Sequence, residues 1–264
     1  MYINNRKFID KLNRNNFCIV IDFDRTVSKG TSEGTWATIG RANIFNDEYQ
    51  RLKTEQYEKY RPIEVDPNIS HEIKEKNMEA WWKEHFELFF RFGLKKEDIV
   101  KCATQGGIVL RDGAEEFFSK MHEYNVPIII LSAGLANIIK EFLSYKNILY
   151  DNVYIFSNDL LFDENGMLCN VDDNIIHACN KTIDYLPDNM KKMIASREYI
   201  LMYGDGLADL SMVPERLHDK TIKVGFLVEA IEESLEAFNK NFDIVLLGDD
   251  SFKEVNDYLN IYNL

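Results

Sequence analysis

Apolar and polar positions along this chain repeat with two distinct periods. Phe17-Cys-Ile-Val-Ile21 is an unbroken apolar run rich in β-branched residues, the pattern of a strand buried on both faces of a parallel sheet. Val126-Pro-Ile-Ile-Ile-Leu131, Tyr199-Ile-Leu-Met-Tyr203 and Asp243-Ile-Val-Leu-Leu247 read the same way. Between these runs the period lengthens. Ala114, Phe117, Phe118 and Met121 fall at i, i+3, i+4 and i+7, one face of a helix, with Asp112 and Glu115 as a capping box ahead of it. Leu135, Ile138, Ile139 and Phe142 keep that spacing after Gly134, and Leu227, Ile231 and Leu235 keep it more loosely. Strands alternating with amphipathic helices predict an α/β fold around a mainly parallel sheet.

One stretch breaks the rhythm. From about Lys29 to about Val109 the chain is charged and carries no buried-strand pattern, but reads as helices over Asn46–Tyr60 and Ser70–Phe92, the second stopped by Gly93. Trp81, Trp82, Phe86, Leu88, Phe89, Phe90 and Phe92 give that second helix more aromatic surface than one packing stripe needs, which suits a helical core with one or two rings lining a pocket. A helical insert after the first strand of an α/β core predicts a cap domain of residues 29–109 above the sheet's C-terminal edge, with residues 1–28 and 110–264 forming the core. Leu160–Leu168 reads as a β-hairpin turning at Asn165-Gly166. Its likeness to a calcium loop fails because Leu161 stands where the first acid is required.

Composition narrows the field. The 264 residues are 45% hydrophobic and 28% charged, those of an ordinary globular protein, with a formal net charge of −13. An acidic surface of that size repels nucleic-acid polymers and anionic membranes, but leaves room for a small anionic substrate at a locally positive site. Cys18, Cys102, Cys169 and Cys179 form no CxxC pair, which argues against a cysteine zinc site or a disulfide framework. The first residues lack an apolar signal segment and no apolar run is long enough to span a bilayer, so a cytoplasmic location is expected. Oligomeric state is not legible.

The chemistry-bearing residues follow the buried strands. Asp22 and Asp24 come directly after the first run, and strand alternation would set both carboxylates on one side. Two anions so placed call for a cation, and a hard divalent ion such as Mg²⁺ suits oxygen ligands. Ser132-Ala-Gly134 follows the second run and opens a helix, whose N-terminus offers free amides to an anion. Gly204-Asp-Gly-Leu-Ala-Asp209 follows the third and adds Asp205 and Asp209; it is no dinucleotide fingerprint, because Asp209 replaces the last glycine. Lys181 lies between these elements in sequence.

The order strand–DxDxT, strand–SAG, Lys, strand–GDGxxD resembles the haloacid dehalogenase superfamily of phosphotransferases, with the insert resembling its helical C1 cap. The further segments Asp22–Ser28, Ile63–Pro67, Phe162–Gly166 and Ile176–Lys181 resemble the cytosolic pyrimidine 5′-nucleotidase family. The resemblance implies a Rossmann-like core and an aspartyl-phosphate mechanism. In it Asp22 is the nucleophile, Asp24 the general acid and base, and Lys181 the cation that neutralises nucleophile and phosphate. Ser132 with the Ala133 and Gly134 amides would hold the phosphoryl oxygens. Mg²⁺ would be held by Asp22, the Asp24 carbonyl and Asp205, with Asp209 either a water-mediated metal partner or a brace for Lys181.

For the substrate, the resemblance implies a base contact at Glu64 and an aromatic pocket wall at Trp82. His85 stands where the family has a serine near the substrate, and Lys29–Trp36 lacks the family's pattern after its first motif. Trp36 either replaces a stacking residue or is a buried cap tryptophan. The expected activity is hydrolysis of a nucleoside 5′-monophosphate, pyrimidine first. The alternatives are another small phosphate ester, a phosphoamino acid or phosphorylated vitamin, or an inactive binding protein on the same fold.

Overall fold

The computed structural model describes residues 1–66, 68–261 and 264. Pro67, the end of the Ile63–Pro67 segment, lies outside them. The strands are β1 (Tyr2–Ile3), β2 (Phe17–Ile21), β3 (Ile128–Leu135), β4 (Val153–Asn158), β5 (Leu160–Phe162), β6 (Leu168–Val171), β7 (Tyr199–Gly204), β8 (Thr221–Leu227) and β9 (Ile244–Leu247). The α-helices are α1 (Thr38–Arg41), α2 (Asp47–Val65), α3 (His71–Phe92), α4 (Lys96–Gln105), α5 (Ala114–Glu123), α6 (Ala136–Tyr145), α7 (Asp188–Ala195), α8 (Ile231–Asn241) and α9 (Phe252–Tyr258).

The main sheet has the order β1-β9-β8-β7-β2-β3-β4, parallel throughout except for the short antiparallel β1. Every residue of β2 and β7 is buried, as continuous apolar runs require of central parallel strands. Two apolar layers cover the faces. One joins Ile19, Ile21, Phe117, Phe142 and Phe226; the other joins Cys18, Val20, Met202, Ile194 and Phe238. The chain leaves β2 for β3 on one side and later returns to β7 on the other. The carboxyl ends of β2, β3 and β7 therefore flank the point where strand order reverses, the usual ligand crevice of an open α/β sheet.

Helices α1 to α4 fill the interval between β2 and α5. The chain enters and leaves this interval side by side: Ser28 bridges Leu110 antiparallel, and the Lys29 amide donates to the Val109 carbonyl at 2.9 Å. Helices α2 and α3 pack together as a long hairpin, and α4 lies against α6 of the core. Gly93 ends α3 in the left-handed conformation, φ 72°.

Several local expectations need correcting. Asp112 does not cap α5. The N-cap is Gly113 at φ 82°, which has no side chain to make a capping bond, and the Asp112 carbonyl accepts the Phe252 amide and the Ser251 hydroxyl. The Asp112 carboxylate pairs instead with Lys29 at 2.9 Å. Leu227 ends β8 rather than opening a helix, and α8 starts at Ile231. The Ser132–Gly134 segment does not open a helix directly. It stays extended and rejoins β4 after a register shift, Leu135 opposite Asn158, so α6 begins only at Ala136. Strands β4 and β8 were not legible: Lys223 and Gly225 interrupt the apolar run of β8, and β4 is a half-exposed edge. Among the described residues, no helix is long and apolar enough to cross a membrane.

Candidate active site

A cavity of about 650 Å³ opens at the C-terminal edge of β2, β3 and β7, roofed by α2 and α3. Its floor carries Asp22, Asp24, Ser132, Ala133, Gly134, Lys181, Asp205 and Asp209; its roof carries Lys53, Tyr57, Glu64, Trp81, Trp82 and His85. The motifs scattered along the chain therefore meet in one place.

Asp22 follows β2 in extended conformation, and its amide donates to the Tyr203 carbonyl, tying the end of β2 to β7. The next residues coil through a tight turn in which Arg25 adopts φ 63°. This turn buries Phe23 while leaving Asp22 and Asp24 both on the cavity. The fully buried guanidinium of Arg111 holds the turn. It donates to the carbonyls of Arg25 (2.5 Å) and Thr26 (2.9 Å), and to those of Gly248 (2.9 Å) and Asp250 (3.0 Å) beyond β9, and stacks 4.0 Å over Phe226. Four carbonyl dipoles offset the burial of one cation.

Lys181 sits at the centre of the floor, buried, 2.7 Å from Asp22 Oδ1 and 2.5 Å from Asp209 Oδ1. The other Asp209 oxygen accepts the amides of Asp205 (2.9 Å) and Gly206 (3.0 Å), so both Asp209 oxygens are engaged by the protein. Carboxylate oxygens of Asp22, Asp205 and Asp209 lie within 4.8 Å of one another. Three acids against one ammonium leave an excess of negative charge. Burial, then the neighbouring Asp209 and Asp22, push the Asp205 carboxyl well above its usual range. Burial also lifts Asp22 to about 7, against the opposing ammonium of Lys181. Burial works against a charged Lys181 as well, but Asp209 and Asp22 outweigh it and hold its pKa above the ordinary lysine value. An all-oxygen donor set with surplus negative charge fits a hard divalent cation such as Mg²⁺.

The Asp24 carboxylate stands apart from those three. Both of its oxygens accept the Thr35 amide, at 2.9 and 3.0 Å, and Oδ2 also accepts the Thr35 hydroxyl at 3.0 Å. Burial pushes its pKa up to about 6, with the Thr35 bonds pulling the other way. Ser132 is buried, and its hydroxyl accepts the Gly134 amide at 3.0 Å, so that amide is taken within the protein. Ser157 and Asn158 hold the Gly134 and Ala133 carbonyls, fixing the peptide orientations of this loop.

The roof is aromatic. Trp36 meets Tyr57 in a stacked arrangement, centroids 6.5 Å apart, and meets Trp81 and His85 edge-on. Trp82 lines the cavity and contacts Phe86 and His85. His85 is 2% exposed and its nitrogens face Gln56 (2.9 Å) and the Tyr49 hydroxyl (3.4 Å). Gln56 Oε1 only accepts, so Nδ1 carries the proton and Nε2 accepts from Tyr49. Burial drops the His85 pKa to about 3, which keeps the ring neutral. Glu64 lies on the cavity wall, half-buried and paired with Arg61 at 2.5 Å. Arg61 reaches on to Glu229, which also binds Arg25, linking roof to floor. Sequence reasoning did not find Thr35, Lys53, Tyr57 or Arg111. Each is an ordinary polar or aromatic residue whose significance lies in what the fold sets beside it.

The chain is similar to known proteins over most of its length. Residues 24–262 match the family model for pyrimidine 5′-nucleotidase (UMPH-1). The 7-methylguanosine phosphate-specific 5′-nucleotidase A of Xenopus laevis is 33% identical over 248 residues, 91% of this chain and 86% of that protein. A putative cytosolic 5′-nucleotidase 3 of Caenorhabditis elegans is 31% identical over 258 residues, 93% of this chain and 69% of that protein. Among solved structures, cytosolic 5′-nucleotidase IIIB bound to cytidine superimposes with a TM-score of 0.84 at 27% identity, covering 97% of this chain and 88% of that one. A substrate-bound phosphoserine phosphatase shares the fold, with a TM-score of 0.58 at 18% identity over 94% of this chain and 99% of that one. The chain belongs to the pyrimidine 5′-nucleotidase family, phosphoric monoester hydrolases on the haloacid dehalogenase fold.

Proposed function

We propose that this protein is a cytoplasmic Mg²⁺-dependent phosphatase that hydrolyses pyrimidine nucleoside 5′-monophosphates through an aspartyl-phosphate on Asp22. The observation that carries this reading is the convergence of Asp22, Lys181, Asp205 and Asp209 beneath an aromatic roof. Residues 1–28 and 110–264 form the catalytic core and residues 29–109 the cap. Asp22 attacks phosphorus and Asp24 delivers a proton to the departing 5′-oxygen, then accepts one from the water that releases phosphate. Lys181 neutralises the nucleophile and the incoming phosphate, and Asp209 braces Lys181. The Ser132 hydroxyl and the Ala133 amide cradle the phosphoryl oxygens, while the Gly134 amide stays with Ser132 Oγ and holds that hydroxyl in place. Asp22, Asp205 and the Asp24 carbonyl would hold the metal, which when bound would supply charge neutralisation for an anion meeting an anionic site.

The base enters under Trp36, Tyr57 and Trp82, where Glu64 accepts from an exocyclic amine. His85 shapes this wall as a neutral, internally bonded ring rather than as a substrate partner. The aromatic roof favours a planar base over phosphoserine, which has no ring to stack. It also supports a second reading, 7-methylguanosine monophosphate, because a cationic ring gains from stacked aromatics. Against it, the Lys53 ammonium lies 5.4 Å from the Trp36 ring centroid and occupies that favourable position with its own charge. Phosphate release from CMP, UMP, 7-methyl-GMP, GMP, AMP, phosphoserine and a sugar phosphate, with and without Mg²⁺, tests the reading. Turnover of CMP and UMP only with Mg²⁺ supports it; a preference for phosphoserine or the sugar phosphate overturns it.

A further inference from the structure

We propose that Thr35, in the cap's first turn, is the positioning residue for the proton donor Asp24. This rests on the reading of Asp24 given above. Among the described residues, no group other than Thr35 hydrogen-bonds the Asp24 carboxylate. The Thr35 hydroxyl also accepts the Leu135 amide at 3.1 Å, so its own hydrogen is left to point at Asp24 Oδ2. Thr35 is fully buried, and its carbonyl accepts the Thr38 hydroxyl at 2.6 Å, which ties the turn to α1.

The surroundings leave the threonine little freedom. A Cβ on Gly134 would lie 2.1 Å from Thr35 Oγ1, and one on Gly34 would lie 3.2 Å from Asp24 Oδ2. One hydroxyl therefore joins three segments: the cap turn, the catalytic turn after β2, and the loop at the end of β3. The core supplies the nucleophile and its cation, and the cap supplies the orientation of the acid.

In the step concerned, the bond from Asp22 Oδ to phosphorus forms as the bond from phosphorus to the ester oxygen breaks. The electron pair goes to that oxygen and the Asp24 proton follows it. An alkoxide needs the proton, whereas p-nitrophenolate leaves without it. The test compares kcat/KM, which reports events up to release of the leaving group, for p-nitrophenyl phosphate and for the best alkyl phosphate of the panel. Thr35→Val removes the hydroxyl and keeps shape and amide. It should lower kcat/KM on the alkyl ester about 10–100-fold, the scale of a misplaced acid. On p-nitrophenyl phosphate the change should stay under about threefold, because no acid is required. Thr35→Ser should restore most of the loss. An equal fall on both substrates, or no fall on either, overturns the proposal. Since any alkyl ester serves, a wrong choice of nucleotide leaves this test standing, and turnover of nucleotides without the Thr35 effect refutes this inference alone.

Discussion

Lys181 Nζ stands 2.7 Å from Asp22 Oδ1, the two residues 159 positions apart in sequence and both buried. The same ammonium meets Asp209 at 2.5 Å. Replacing Lys181 by Met should leave buried carboxylates without their cation, abolish phosphate release and destabilise the fold by about 3–5 kcal/mol, the usual penalty for breaking a buried pair. Urea unfolding without metal checks the stability, and a variant as stable as the parent would show the pair to be dispensable.

Gly134→Ala should damage activity more than stability. Its new Cβ would meet Thr35 Oγ1 at 2.1 Å, Asp24 Oδ2 at 3.1 Å and Ser132 Oγ at 3.2 Å, so all three must shift. A shift of about 1 Å in catalytic groups lowers turnover roughly 100-fold. Steady-state kinetics beside a thermal melt separate the two effects.

Lys53 bears on base choice. Its ammonium faces the Trp36 ring, with no hydrogen bond or ion pair among the described residues, and burial lowers its pKa, with Glu33 opposing. Lys53→Met should raise kcat/KM for 7-methyl-GMP relative to UMP by about 3–10-fold, the scale of one cation–π interaction regained by a cationic base. A ratio that does not move assigns selectivity to other residues.

His85 predicts an acid sensitivity. Its folded pKa of about 3 lies below the ordinary 6.5, so the unfolded chain takes up the proton first as pH falls. The stability from neutral His85 is present above 6.5 and is lost as pH falls toward 3. The loss approaches roughly 1.4 kcal/mol per pH unit in that window. Melting at pH 7 and pH 4.5 should therefore show a smaller drop for His85→Asn than for the parent chain.

The floor of the cavity was legible in the sequence because each of its motifs trails a strand that buries both faces, and such runs as Phe17–Ile21 and Tyr199–Tyr203 stand out. Their places at the carboxyl ends of parallel strands put Asp22, Ser132 and Asp205 at one sheet edge, where all three line the cavity. The roof was less legible. Helical periodicity located α2 and α3 but not which aromatic turns inward, and His85 proved to be bonded to Gln56 and Tyr49. Thr35 carries no signal in Lys29–Trp36, since its partners lie 11 and 100 residues away. Strand β8 escaped because Lys223 interrupts it, its amide bonded to Asp243 and its side chain only half-buried.

The proposed chemistry requires Asp22 to be the nucleophile. Rapid quenching of the protein with UMP labelled on phosphorus, in the presence of Mg²⁺, followed by peptide mapping, reads this directly. The predicted result is a transient phosphoryl group on Asp22, absent without Mg²⁺ and absent in Asp22→Asn, which also releases no phosphate. Steady turnover of UMP by Asp22→Asn, or label carried on any other residue, would contradict it.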